Sequence, residues 1–237
     1  MSEWKAKRFW KAAETEQVED GWTVRLDGRA VKTPAKAALV VPTVALADAI
    51  AAEWDAQDDV IDPLSMPFTR TANAAIDKVA PQHAEVVDML AAYGDADLLC
   101  YRAAAPTELV LRQAAVWDPY LDWAADALGA RLHPRIGLMH EPQDEAALKT
   151  LWHHTHALSA YELACFHDLV SLTGSLVLGF ATAQADASAN EIWSASRLDE
   201  TWQEEQWGVD EEAQEAAEVK KSSYFHAKNF LEAMRER

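Results

Sequence analysis

From residue 70 onward, apolar residues recur every three or four positions, and this periodicity constrains the chain more than any other feature. It predicts helices over 70–79, 82–93, 107–128, 143–157, 159–181, 189–206 and 211–235. The first forty residues read differently. "WTVRLDGRAVKTP" alternates around Asp27-Gly28, a two-residue hairpin signal, and "AALVVP" reads as a further strand ended by Pro42. Thr43 is placed to cap a helix through "VALADAIAAEWDAQ", with Val44, Ala47, Ile50 and Trp54 on one side. "IDPLSMPF" then interrupts the chain with two prolines. The expected architecture is α+β: a small β-rich N-terminal domain over 1–67 that includes one helix, followed by a larger all-α helical domain over 68–237.

Half of the 237 residues are apolar and ten are tryptophan, enough for a real core. The net charge of −18 argues against nucleic acid or an anionic membrane as partner. The longest apolar run, 169–183, is shorter than the roughly 18 residues a spanning helix needs, so no membrane insertion is expected. The start of the chain is too polar for a secretory signal, and the expected location is cytoplasmic. Cys100 and Cys165 stand far apart in apolar surroundings and read as buried thiols. Ser171, Ser175 and Gly179, spaced by four on the most apolar segment, mark it as a central helix that a neighbour approaches closely.

Signals for catalysis are weak. His153 and His156 share a helical face, but no HExxH and no Cys/His partner set accompanies them, so packing histidines are preferred over a metal site. Carboxylates adjacent in sequence diverge by about 100° on a helix, so adjacency makes no acid–base pair. No phosphate-binding glycine motif occurs, and no cofactor is expected.

One strip stands apart. "RLDETWQEEQWG", 197–208, sets two tryptophans among carboxylates. Ser188 and Glu191 form a capping-box pattern ahead of it, and Gly208 suits the helix end. On one continuous helix, Ile192, Ala195, Leu198 and Trp202 line a core side. Trp193, Glu200, Gln203 and Trp207 line a second face, which either packs on the next helix with Glu200 in an ion pair or receives another protein.

The ordered set "RFWK", "DGRAVKTP", "AAEWDAQDDVIDPLSMPFTRTANAAID", "DADLLCYRA", "WDPYLDW" and "RLDETWQEEQWG" resembles the ATP-twelve-type assembly chaperones. The resemblance implies a non-enzymatic binding protein, a bacterial member of the family and a monomer when free. It would hold the unassembled α subunit of the ATP synthase catalytic head and shield the surface that later meets the β subunit. It implies that Glu200 is the functionally important glutamate, with Trp202, Gln203, Trp207 and Gly208 as motif neighbours, and that Trp54, Asp27 and Gly28 belong to structural motifs. The alternative from a different class is a small-molecule hydrolase using a carboxylate and histidine site. A deep polar pocket gathering several of Glu200, His153, His156 and Asp168 would favour it.

Overall fold

The computed structural model describes residues 7–137, 139–184 and 188–236. By contacts the chain forms two units. The first comprises the described residues of Met1–His83, Ala160–Cys165 and Asn229–Arg237, and the second those of Ala84–Ser159 and Phe166–Lys228.

In the first unit, β1 (Ala13–Val18), β2 (Gly21–Leu26), β3 (Arg29–Ala30) and β4 (Val40–Val41) form an antiparallel sheet in which β2 pairs with all three others. The β2–β3 turn is the expected two-residue hairpin: Asp27 has φ 47 and Gly28 φ 79, left-handed values that such a turn demands of both positions. Asp27 does more than turn. Its carboxylate accepts from the Lys11 and Ala12 N–H groups at 3.1 Å, and those bonds, Ala12 first, hold its pKa below the usual range. The loop therefore fastens the chain that leads into β1. Helix α1 (Val44–Asp55) packs on β1 and β2 and buries Leu46, Ala47, Ile50 and Ala51. Thr43 caps it as expected, accepting from Leu46 N at 3.3 Å, while its own hydroxyl donates to Ala233 O at 2.7 Å.

Helix α2 (Pro67–Ala74) begins at Met66, which offers no capping oxygen. Glu53 of α1 supplies it instead. Its carboxylate accepts from Phe68 N at 2.6 Å, Thr69 N at 2.8 Å and the Thr69 hydroxyl at 2.7 Å. Burial pushes the Glu53 pKa up, and these donors pull against that rise. Trp54 is half-buried and meets Trp10 edge-on, with ring centres 5.1 Å apart. Arg8 lies over Trp10 and donates to the carbonyls of Trp10, Asp55 and Gln57 at 3.1, 2.7 and 2.5 Å, closing the end of α1. Distant pieces complete the unit: Phe230 stacks on Phe68 at 5.8 Å, and the Tyr161 hydroxyl donates to Val40 O.

Beyond α2 the backbone loosens to a π turn (Ala75–Val79) and a 3-10 turn (Ala80–Gln82) before α3 (His83–Ala91). A short parallel pair, β5 (Tyr101–Arg102) and β6 (Arg135–Ile136), brackets α4 (Thr107–Ala127). Next come α5 (Glu145–His156) and α6 (Ala160–Thr173). They are followed by α7 (Leu176–Gln184), α8 (Ala189–Ser196), α9 (Leu198–Trp207) and α10 (Glu211–Ala233).

The expected helix over 159–181 is two helices. Gly174 takes φ 69 and ends α6, so Ser171, which is exposed, and Ser175 share no continuous stripe. Gly179 alone serves close packing: a Cβ there would lie 2.8 Å from Val170 Cγ2. Helix α7 is nonetheless the buried centre of the second unit, with every residue from Leu176 to Ala183 buried. Its start is held by Asp97, whose carboxylate accepts from Val177 N at 3.1 Å and Leu99 N at 3.0 Å. Complete burial pushes the Asp97 pKa up to about 6. Both cysteines are buried and form no disulfide, and burial followed by the Asp97 charge pushes the Cys100 thiol up to about 12.

Candidate partner-binding site

The expected helix over 189–206 breaks at Arg197, which has ψ 14. One residue earlier the Ser196 hydroxyl donates back to Trp193 O at 2.7 Å, a local bond that competes with the helical ladder. The Ser188 side chain makes no capping bond, so the capping box does not form, although α8 starts where it was expected.

The break alters the phase of everything after it. Trp193 is only 7% exposed, and its ring packs 5.4 Å from that of Tyr224, whose hydroxyl meets Thr182 at 2.7 Å. Trp193 thus belongs to the core with Ile192 and Ala195 and does not share a face with Trp207. Trp202 is half-buried beneath the Arg112 guanidinium, 5.9 Å from its ring centre, so it is a rim residue.

The remaining three form an outer edge of α9. Glu200 is half-exposed, and its Oε1 accepts from Arg197 at 2.6 Å. This is a local surface pair, not a buried one, and it leaves Oε2 without a partner among the described residues. Gln203 is exposed, and Trp207 is 79% exposed. By helical geometry the three fall within roughly 60° of arc. Gly208 ends the helix with φ 92, and its N–H still reaches Glu204 O at 2.9 Å. Val209, 58% exposed, extends the apolar end of this edge before Asp210 caps α10.

Opposite that edge, α9 is gripped by α4. Arg112 donates to both oxygens of Glu205 at 2.5 and 2.9 Å, which raises the Arg112 pKa and lowers that of Glu205. Gln113 donates to Asp199 at 2.7 Å, and one turn further along α4 the buried Trp117 indole donates to Ala195 O of the preceding α8 at 2.8 Å. None of these partners was legible in the sequence, since the pairs lie 93, 86 and 78 residues apart. Glu53 was equally hidden, but an indirect signal exists: Pro67 opens a helix with no capping side chain at Met66, so a cap must come from elsewhere.

The groups named for hydrolysis do not gather. His153 and His156 flank the Trp152 ring at 5.1 and 4.8 Å, Asp168 pairs with its neighbour His167 at 3.0 Å, and Glu200 pairs with Arg197. Among the described residues, no group of three or more His, Cys, Asp or Glu side chains is placed to hold a metal ion. A recess of about 650 Å³ in the first unit is lined by Arg8, Gln57, Asp58, Asp59 and Val60, and contains none of those groups.

The family model of the ATP12 chaperone protein matches residues 7–125, which stops short of α9. Protein atp12, mitochondrial, of Schizosaccharomyces pombe is 25% identical over 221 residues, covering 88% of this chain and 76% of its own. The solved structure of Atp12 from Paracoccus denitrificans is 46% identical with a TM-score of 0.95, covering 98% of this chain and 100% of its own. A mutant of the Paracoccus protein superposes equally well, and a protein of Agrobacterium tumefaciens matches at 42% identity with a TM-score of 0.92 over 97% of this chain and 86% of its own. Matched by the family model over half its length and by the Paracoccus structure over nearly all of it, the chain belongs to the ATP12 chaperone family.

Proposed function

We propose that the chain is a non-catalytic assembly chaperone. It holds the unassembled α subunit of the ATP synthase catalytic head and covers the surface that will later face the β subunit. Glu200, Gln203 and Trp207 form its contact edge, and Trp193 is left out because it is buried. The observation that carries the reading is Trp207: a tryptophan 79% exposed, beside a carboxylate with a free oxygen, has the composition of an interface hot spot. An isolated subunit exposes apolar area that aggregates, and a holding partner needs aromatic anchors, orienting polar groups and solubility. The net charge of −18 supplies the last of these.

No helix among the described residues is long and apolar enough to cross a membrane, in keeping with the cytoplasmic location proposed here. The free protein is proposed to be a monomer, and the complex one-to-one and formed without ATP hydrolysis. Purified chain mixed with aggregating α subunit tests the reading. The expected result is suppressed aggregation and a one-to-one peak on size exclusion, without nucleotide. Continued aggregation of the α subunit, or ATPase activity lost in a point mutant of this chain, would refute it.

A further inference from the structure

We infer that Arg112 and Gln113 of α4 are positioning residues, which set how α9 is turned about its own axis and so where Glu200, Gln203 and Trp207 point. The inference rests on the contact edge proposed above. Helix α9 has ten residues, and only Leu198 among them is buried. Its ends are not continuous with its neighbours, because Arg197 at one end has ψ 14 and Gly208 at the other has φ 92. A helix this short has little stability of its own, and one buried leucine does not define its rotation.

Three side chains supply what the apolar face lacks. Asp199 in the first turn receives the Gln113 amide at 2.7 Å, Trp202 lies under the Arg112 guanidinium at 5.9 Å, and Glu205 in the last turn takes two bonds from the same guanidinium. At about 100° per residue these three occupy one side of α9, centred roughly 130° from the middle of the Glu200–Gln203–Trp207 edge. Holding one side fixes the other. Gln113 has no slack, being 1% exposed with its carbonyl oxygen taken by Ala103 N at 2.8 Å. The Arg112 fork defines direction as well as distance, because a guanidinium meets a carboxylate in a planar two-bond geometry.

Hydrogen exchange of the full chain across Leu198–Gly208, measured beside retention of purified α subunit, tests this. Arg112→Glu sets a carboxylate against Glu205. It is expected to speed exchange in α9 and weaken α-subunit binding, each by about tenfold, the scale of one lost charge-assisted contact, while exchange in α7 stays unchanged. Adding Glu205→Arg rebuilds the pair in reverse and should recover both, which a loss of general stability would not predict. Unchanged α9 exchange in Arg112→Glu, or no recovery in the reversed pair, overturns the inference. Glu200→Lys separates the two readings. If it leaves binding intact while Arg112→Glu still loosens α9, the contact edge fails and the positioning stands. If it abolishes binding while Arg112→Glu changes neither readout, the positioning fails and the edge stands.

Discussion

Trp54 and Trp207 both sit near the end of a helix beside acidic residues, and the structure uses them in opposite ways. Around Trp54 other segments close in, although the indole nitrogens of Trp54 and Trp10 are buried without a hydrogen-bond partner among the described residues. Trp10 meets its ring, Arg8 ties down the carbonyls at the end of α1, and Glu53 caps the next helix. At Trp207 the helix simply stops: Gly208 turns the chain away, no described residue beyond its chain neighbours comes within 4 Å of where a Cβ would sit, and the ring stays in solvent. Equal hydrophobicity therefore says little about role. What differs is whether another segment arrives to cover the ring. At Trp54 the segment is Arg8–Trp10, anchored in turn through Lys11 and Ala12 by the hairpin carboxylate of Asp27.

The largest expected effect tests the closed end of that contrast. Trp54→Arg removes an aromatic contact and inserts a charge beside Trp10. It should cost on the order of 3–5 kcal/mol, read as a lowered thermal midpoint and poor soluble yield. A variant that melts like the parent yet no longer holds the α subunit would instead place Trp54 with Trp207 as a contact residue.

Next in size is Glu53→Ala, which strands the N–H groups of Phe68 and Thr69. A loss of about 2–3 kcal/mol is expected in chemical denaturation, with the slope of the unfolding transition unchanged. An effect below about 0.5 kcal/mol would mean that water caps α2 equally well and that the region is less closed than it looks.

Asp97 offers a comparable test in the second unit through pH. Its folded pKa of about 6 lies above the ordinary 3.8, so the folded state binds its proton more tightly than the unfolded state does. Its contribution is therefore most favourable below about pH 4 and is lost as pH rises through 6. Asp97→Asn should flatten the stability profile across that window. It should also lower stability at every pH, because an amide NH2 cannot accept from both Leu99 N and Val177 N. A profile as steep as that of the parent would show that another group titrates there.

The smallest stability effects belong to the open edge. Glu200→Lys should shift unfolding by less than about 1 kcal/mol, since its pair with Arg197 is half-exposed, yet it should abolish α-subunit holding. Trp207→Ala should leave the melt unchanged and weaken holding. Either variant binding like the parent removes that residue from the edge, and an early melt for Glu200→Lys would return it to a structural role.

Local physics made much of this molecule readable in advance. The Asp27-Gly28 hairpin, the Thr43 cap and the helical character after residue 70 depend on neighbours a few residues apart and took the form expected. On α1 the expectation held in part: Ala47 and Ile50 are buried, Val44 and Trp54 are only half-buried, and Leu46 and Ala51 complete the core face. Two helices read as continuous were not, because Gly174 in a left-handed conformation and the Ser196–Arg197 break interrupt patterns that apolar spacing alone carries through. Whether Trp193 and Trp207 share a face then became a question of phase across that break, which periodicity assumes and does not test. Tertiary structure also decided which distant groups meet: Glu53 with α2, Ala160–Cys165 and Asn229–Arg237 with the first unit, and Arg112 and Gln113 with α9. Such pairings depend on where separately formed elements come to rest. A charge or an amide in the sequence carries no mark of the partner it will reach some ninety residues away.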